Sequence, residues 1–379
     1  MPYSKKSLNL HRKCKGKIEI KPKVSIKTDE DLAMVYTPGV GAVSSMIAQQ
    51  PEQVWELTNR GNTIAIVTDG TAVLGLGDIG PEAGLAVMEG KAVIFKEYSN
   101  IDAIPLCINT KDVDDIVRFC KQIQPSFAGI NLEDISAPRC FEILERLEKD
   151  LDIAVFHDDQ DGTAIVTLAA LINSCRVTGK SIKDLKMVIN GAGAAGIAIA
   201  RLLLSMGVKE IYLADSKGLI YSGRPGLNRW KEKLAKKTNK KKIKGPKEKA
   251  LVGADVFIGV SRPKQLTKEA IKTMNSDPII FAMANPIPEI MPNEAIAAGA
   301  AIVGTGRSDF PNQINNALAF PGVFKGLLDG WKSKMTTEMM ISVAIALAYV
   351  VKKPTKNNLV PKVRDRKVVD AIAKAIMSK

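Results

Sequence analysis

Residues 186–207, KMVINGAGAAGIAIARLLLSMG, limit the fold more than any other stretch of the chain. They run from a short apolar segment through Gly191, Gly193 and Gly196 into a second apolar segment with helical spacing. Glycines at G-x-G-x-x-G spacing between a strand and a helix let the backbone approach a pyrophosphate closely. The helix start then offers N–H groups that have no intrahelical acceptor. Gly191, Ala192, Gly193, Ala194, Ala195 and Gly196 are therefore candidate contacts to a dinucleotide. Nineteen residues after Gly196, Asp215 closes the next apolar run, IYLAD, where a carboxylate reaches adenosine ribose hydroxyls. An acid there opposes a 2′-phosphate, but Ser216 and Lys217 follow directly, so NAD and NADP both remain open.

The remainder of the chain repeats the strand-and-helix alternation, which is the pattern of an α/β protein. Buried strands are expected at 63–68 (TIAIVT), 101–108, 126–131 and 153–157, and again at 187–189, 210–214, 255–259, 278–284 and 301–303. Between them Val113, Ile116, Val117, Cys120 and Ile123 share one helical face, as do Cys140, Ile143, Leu144 and Leu147. From Gly162 the run TAIVTLAALINSC is apolar all round, as expected of a helix buried between two domains. The reading is thus a two-domain chain: an N-terminal α/β domain over 1–161, and a Rossmann-like domain with C-terminal helices over 162–379. The last helical patterns, at 336–351 and 365–377, do not reveal which domain they pack on.

A second signal is acidic. Glu133 and Asp134 follow one predicted strand, while Asp158 and Asp159 follow the next, in VFHDDQDG, with a single helix between. A strand-helix-strand unit makes the two strands parallel, so their C-terminal ends lie on one edge of the sheet and the carboxylates converge. Crowded carboxylates raise one another's pKa unless a cation sits among them. An oxygen-only donor set suits a hard divalent ion such as Mg²⁺ or Mn²⁺. Only His11 and His157 are present, too few for a histidine-rich zinc or iron site, and His157 reads as a packing or supporting residue.

Composition excludes several classes. The five cysteines are scattered, with no C-x-x-C pair, which argues against a disulfide framework or zinc knuckle and for a reducing compartment, hence the cytoplasm. No apolar run is long enough to span a bilayer, so no membrane role is expected. The net charge of +14 invites a nucleic-acid reading. Much of the excess, however, sits in 231–249, KEKLAKKTNKKKIKGPKEK, which has no interleaved aromatics for stacking on bases and reads as a solvated loop or helix face.

Seven segments then stand in an order that resembles malic enzyme in its short prokaryotic form: YTPGV (36–40), TDGTAVLGLGDIGPEAGLAVMEGKAVIFK (68–96), NLEDISAP (131–138), FHDDQDGTA (156–164), GAGAAG (191–196), ANPIPEI (284–290) and SDFPNQINNALAFPG (308–322). The resemblance implies oxidation and decarboxylation of malate to pyruvate and carbon dioxide, with reduction of NAD or NADP and a divalent ion. It implies a homodimer or higher homo-oligomer. It assigns Glu133, Asp134 and Asp159 to the metal, with Asp158 beside the site, Lys91 as general base and Tyr36 as general acid. Asn285 and Asn316 match amide contacts to substrate and cofactor, while Asp69 and Asp78 are expected to support the site or the turn rather than to ligate the metal.

Three departures qualify it. Asp161 adds negative charge where relatives usually carry His or a similar residue. Ala72 stands where longer family members place a substrate-clamping arginine, leaving backbone N–H groups around residues 75–77 as a substitute anchor. An acetyltransferase-like extension, and regulation through it, are not expected. Burial and nearby cations would lower the pKa of Lys91, while the acid cluster would raise it. Two rivals are an amino-acid-dehydrogenase-like oxidoreductase, which would need no metal cage, and a basic dinucleotide- or RNA-binding protein without turnover.

Overall fold

A computed structural model describes residues 3–73 and 75–379. Among the described residues ten strands form two sheets. The first half supplies β1 (Thr63–Thr68), β2 (Asp102–Cys107), β3 (Gly129–Leu132) and β4 (Ala154–His157), all parallel, in the order β2-β1-β3-β4. The second half supplies β5 (Lys186–Asn190), β6 (Glu210–Asp215), β7 (Gly218–Leu219), β8 (Val256–Gly259), β9 (Ile279–Ala282) and β10 (Ile302–Thr305). These order as β10-β9-β8-β5-β6-β7, with β7 alone antiparallel. Parallel strands are covered on both faces, which is why TIAIVT is buried at every position and reads as continuous apolar sequence. The architecture is the expected two-domain α/β arrangement with a Rossmann-like second half.

The helices in chain order are α1 (Ser4–Cys14), α2 (Asp29–Val35), α3 (Val40–Gln49), α4 (Val54–Leu57), α5 (Pro81–Ser99), α6 (Val113–Ile123), α7 (Arg139–Asp150) and α8 (Thr163–Thr178). After these come α9 (Ala194–Ser205), α10 (Arg229–Ala235), α11 (Glu248–Leu251), α12 (Lys268–Lys272), α13 (Pro292–Ala297), α14 (Phe320–Asp329), α15 (Thr337–Val350) and α16 (Lys367–Met377). Caps set several starts. Thr28 and Asp31 form a reciprocal capping box on α2, and Asp112 accepts from the Asp115 N–H at 3.0 Å on α6. The apolar helix α8 is buried on nearly every side and ends at Gly179 in a left-handed conformation. It packs on both α9 and α15, and one continuous core joins the two sheets through it.

Helix α14, not foreseen from sequence, bridges the halves, and the two helices whose packing was open from sequence, α15 and α16, stack behind it and on α8. Phe324 of α14 lies 5.4 Å from Phe95 of α5 and 6.0 Å from Phe156 of β4, measured between ring centroids. Phe320 lies 4.7 Å from Phe95. Thus the chain's second half returns to cover the first sheet, while α15 and α16 pack on α8 and α14 respectively. Gly129 of β3 makes the approach possible, since a Cβ there would sit 2.9 Å from the Phe324 ring.

The N-terminal arm is built differently. None of α1, α2, α3 or α4 contains a buried residue, and Leu32, Met34, Val35, Tyr36, Val43 and Met46 are all exposed. The arm is pinned at its flanks, where Lys17 donates its N–H to Glu89 at 3.0 Å and Trp55 meets Trp331 edge-on at 5.5 Å. No helix among the described residues is long and apolar enough to cross a membrane.

Candidate active site

Strands β3 and β4 pair in parallel with Leu132 opposite His157, so the residues that follow each strand leave the same edge together. Glu133 and Asp134 follow β3. Asp158 and Asp159 open a single π-helical turn, Asp158–Gly162, between β4 and α8. Wide turns of this kind often re-aim side chains at functional sites. Candidate ligand oxygens of Glu133, Asp134 and Asp159 all lie within 4.8 Å of one another. Asp134 adopts φ +52°, and its backbone N–H donates to the Asp159 carboxylate at 2.8 Å, locking the two strand tips together.

Lys91, near the middle of α5, reaches into this cluster. Its ammonium donates to the Asp158 carboxylate, lies 2.9 Å from Glu133 and sits 3.9 Å from the centroid of the Phe320 ring. Lys91, Glu133 and Asp158 are 7 %, 5 % and 0 % exposed, so these charges meet almost out of water. Burial alone would lower the lysine pKa, but the fields of Asp158 and Glu133 and their hydrogen bonds outweigh it and hold it above its ordinary value. Of the two opposing influences foreseen from sequence, the acid cluster prevails.

The acids bear the complementary strain. Burial pushes Glu133 upward; Lys91 opposes that, and the neighbouring Asp159, Asp158 and Asp134 add to it. Burial followed by Asp158 raises Asp159 to about 6. A donor set of three crowded carboxylates, short of positive charge, fits a hard divalent cation. Glu133, Asp134 and Asp159 are the residues that would hold it. His157 is wholly buried, and burial followed by Lys91 lowers its pKa to about 3, so the ring is neutral. Its nearer nitrogen stands 4.0 Å from Asp159, consistent with a packing rather than a ligating place.

Asp69 and Arg139 support the edge. Asp69 is buried, accepts from the Thr71 hydroxyl at 2.6 Å and takes the Arg139 guanidinium at 2.7 Å. The same guanidinium donates to Thr71, Ser136 and the Lys111 carbonyl. Asp78 pairs at the surface with Lys111 at 2.6 Å. Sequence reasoning missed Arg139, one residue beyond NLEDISAP, because nothing local marks it as the partner of an acid 70 residues earlier. It also missed Phe320 beneath Lys91. Around 75–77, the Leu76 N–H is spent on the Val73 carbonyl at 2.9 Å, which removes it from the proposed backbone anchor for a substrate carboxylate.

The dinucleotide turn has the anticipated form. A Cβ on Gly196 would lie 1.8 Å from the Gly191 carbonyl, and one on Gly191, at φ +120°, 2.5 Å from the Val260 carbonyl. Gly193 faces open space, where a pyrophosphate can approach the start of α9. Asp215 ends β6 as expected, but its carboxylate is already engaged by Arg224 at 2.9 Å and Lys231 at 2.8 Å. Burial would raise Asp215, yet these cations hold it well below the usual carboxylate range. Glu289, not singled out from sequence, is fully buried and accepts the N–H groups of Ser261 and Ala284 at 3.1 and 3.0 Å, tying the loops after β8 and β9 together.

The two centres adjoin. The π-helical turn packs on α9, the helix that the dinucleotide turn begins. A Cβ on Gly162 would fall 2.0 Å from Asp158 and 3.3 Å from the Cβ of Asn316, so Asn316 stands at the acid cluster. The Asn285 carbonyl abuts Gly75, where a Cβ would lie 1.8 Å from it, bringing the tip of β9 against the glycine loop of the first half. Tyr36 is apart from these by character: it caps α2 and is 68 % exposed.

A nicotinamide cofactor's pyrophosphate turn set against a carboxylate cage for a hard cation defines the class, an NAD(P)-dependent oxidoreductase. Family sequence comparison narrows it. Residues 15–148 match the malic enzyme N-terminal domain, and residues 160–379 match the malic enzyme NAD-binding domain. The chain is 52 % identical to the bifunctional malic/malolactic enzyme of Bacillus subtilis, covering 99 % of this chain and 92 % of that one. It is 50 % identical to the NAD-dependent malic enzyme of Geobacillus stearothermophilus, over 96 % and 76 % of the two chains. The crystal structure of NAD-dependent malic enzyme from Thermotoga maritima superposes with a TM-score of 0.94 at 47 % identity, over 98 % of each chain. This chain belongs to the malic enzyme family.

Asp161, in the same turn, is raised to about 7 by burial and then by Glu148, against the pull of Arg201. Unfolded, an aspartate titrates near ~3.9. The folded state therefore binds the extra proton, and this group's contribution to stability falls as pH rises between those two values. In chelator-containing buffer, Asp161→Asn should unfold at higher urea than the parent, with a gain that is small near pH 4 and grows until about pH 7. A gain independent of pH would contradict this account of Asp161.

Proposed function

We propose that this chain catalyses the divalent-metal-dependent oxidative decarboxylation of (S)-malate to pyruvate and carbon dioxide, with reduction of NAD(P)⁺. The observation that carries the reading is the cluster of Glu133, Asp134 and Asp159 around the buried Lys91 ammonium, packed on the helix that begins at the dinucleotide turn. Its boundary between substrate and cofactor domains falls at 161/162, where the π-helical turn passes toward α8.

In this reading Glu133, Asp134 and Asp159 would hold the divalent ion, which would supply Lewis-acid stabilisation of developing negative charge. The cofactor supplies the hydride acceptor. Gly191 to Gly196 bind its pyrophosphate, with Asp215 toward the adenosine ribose and Asn285 toward cofactor and substrate. Lys91 Nζ takes the hydroxyl proton. For this it must be neutral, and positive charge shared among the acids weakens their hold on its proton. Asp158 then positions the amine and accepts its hydrogen bonds. Asn316, beside Asp158, orients substrate. Tyr36 delivers a proton to the carbon that loses carbon dioxide.

The placement of Tyr36 supports a homodimer. It stands on an arm whose helices bury nothing of their own while presenting Leu32, Met34, Val35, Val43 and Met46, and a second copy of the chain is the cover that takes Tyr36 out of water. Light scattering should give twice the chain mass of 40.9 kDa, and Met34→Glu should lower it toward a single chain. A monomeric parent with full activity would contradict the arrangement. All five cysteines are free, which supports the reducing cytoplasm as the compartment.

Reduction of NAD⁺ or NADP⁺ followed with malate and Mn²⁺, with and without chelator, tests the reaction. Lys91→Ala should slow oxidation by about 10²–10⁴-fold, the usual scale for losing a general base. Tyr36→Phe should slow pyruvate formation while sparing reduction of added oxaloacetate. Turnover that survives chelator would instead favour metal-independent dehydrogenase chemistry.

A further inference from the structure

The lysines of 231–249 fall into separate groups. Lys231, Lys241 and Lys247 end on carboxylates: Asp215 at 2.8 Å, Glu210 at 3.0 Å and Glu248 at 3.0 Å. Lys233, Lys236, Lys237 and Lys240 make no salt bridge among the described residues, and all four line one cavity of about 620 Å³. Arg201, on the exposed side of α9, joins them there, also outside any salt bridge. Lysines without salt-bridge partners that gather around one hollow concentrate positive potential there, whereas Lys242, Lys244 and Lys249, also outside any salt bridge among the described residues, do not line it.

The rest of the lining tells what kind of anion fits. Ile197 and Leu202 of α9, Leu234 and Trp230 of α10 and Met340 of α15 make an apolar floor. Two carboxylates also line it, Glu145 and Asp161, against the five cations. Glu145 is already engaged by the Trp230 indole N–H at 2.8 Å and Arg229 at 3.0 Å. A bare inorganic anion would leave the floor unused, and a neutral apolar ligand would leave the ammonium groups unmatched.

We infer that this cavity binds a nucleoside polyphosphate, its phosphates among Lys233, Lys236, Lys237, Lys240 and Arg201 and its base on the apolar floor. Ammonium groups serve phosphate as point charges, and the volume lies within the roughly 300–1,000 Å³ of small-molecule pockets. The site is distinct from the dinucleotide turn, which occupies 191–196 at the start of α9, whereas the cavity uses the flank of that helix from Ile197 to Ser205. Its inner wall includes Asp161, in the same π-helical turn as Asp158 and Asp159. An occupant therefore presses on the turn that carries the acid cluster, which is the position of a regulatory site.

Calorimetric titration of the full-length protein with GTP, in saturating NAD⁺ so that the dinucleotide turn is filled, tests the inference. The parent should bind GTP, and Lys233→Glu/Lys237→Glu should weaken binding at least tenfold. Both positions are exposed, so the fold is not at risk, and an unchanged circular dichroism spectrum and NAD⁺ affinity would confirm that. Inorganic tripolyphosphate should compete more weakly than GTP, because it has nothing to place on the floor. Absence of GTP binding, binding displaced by NAD⁺, or binding untouched by the double variant would overturn the inference. So would equal competition by tripolyphosphate, or retention of a labelled RNA oligonucleotide without any heat from GTP.

Discussion

Carboxylates from two adjacent strand tips crowd together where water scarcely reaches, and the surrounding structure is arranged around what neutralises them. In the chain itself that task falls to one ammonium group, Lys91, caught between Asp158 and Glu133. The pairing is costly to assemble, because ions lose hydration on burial, and costly to break, because a lone buried charge is worse still. Yet one positive charge among four acids leaves Glu133 and Asp159 strained upward. In the proposed mechanism a divalent ion held there would offset this imbalance and weaken the acids' hold on the Lys91 proton, so that metal binding and readiness of the base would be one electrostatic adjustment.

Such an adjustment needs a rigid frame. Parallel pairing of β3 with β4 sets the two acid pairs side by side, the Asp134 N–H clasps Asp159, and Arg139 ties Asp69, Thr71 and Ser136 behind them. From the other half, α14 brings Phe320 under Lys91 and Phe324 against β4, so the cofactor-binding half also packs the floor of the acid cluster. With α8 buried between the sheets, the two halves share one core.

Much of this was legible in the residues. Strands buried on both faces leave continuous apolar runs, so β1, β4, β5 and β8 could be read directly. The strand-helix-strand rule predicted that Glu133, Asp134, Asp158 and Asp159 converge, while the choice of Asp159 over Asp158 for the metal came from the family resemblance. The glycine spacing foretold a tight turn between a strand and a helix at 191–196. What could not be read depended on contacts far apart in the chain. A helical pattern at 336–351 or 365–377 says that apolar residues are buried, not which part of the fold buries them. Arg139 is invisible until the fold sets it against Asp69. The engagement of Asp215 by Arg224 and Lys231, and the gathering of Lys233, Lys236, Lys237 and Lys240 around one cavity, likewise arise only from three-dimensional placement. Tyr36 was recognised through the YTPGV motif, but its exposure on an uncovered arm was not foreseeable from that motif.

The most direct test of the central claim is electron paramagnetic resonance of Mn²⁺ titrated into the protein without malate or cofactor. The account predicts one tightly held ion per chain, lost in Asp159→Asn and in Glu133→Gln but retained when Lys91 is replaced by alanine. Free Mn²⁺ signal throughout the titration of the parent, or undiminished binding after both carboxylates are neutralised together, would contradict it.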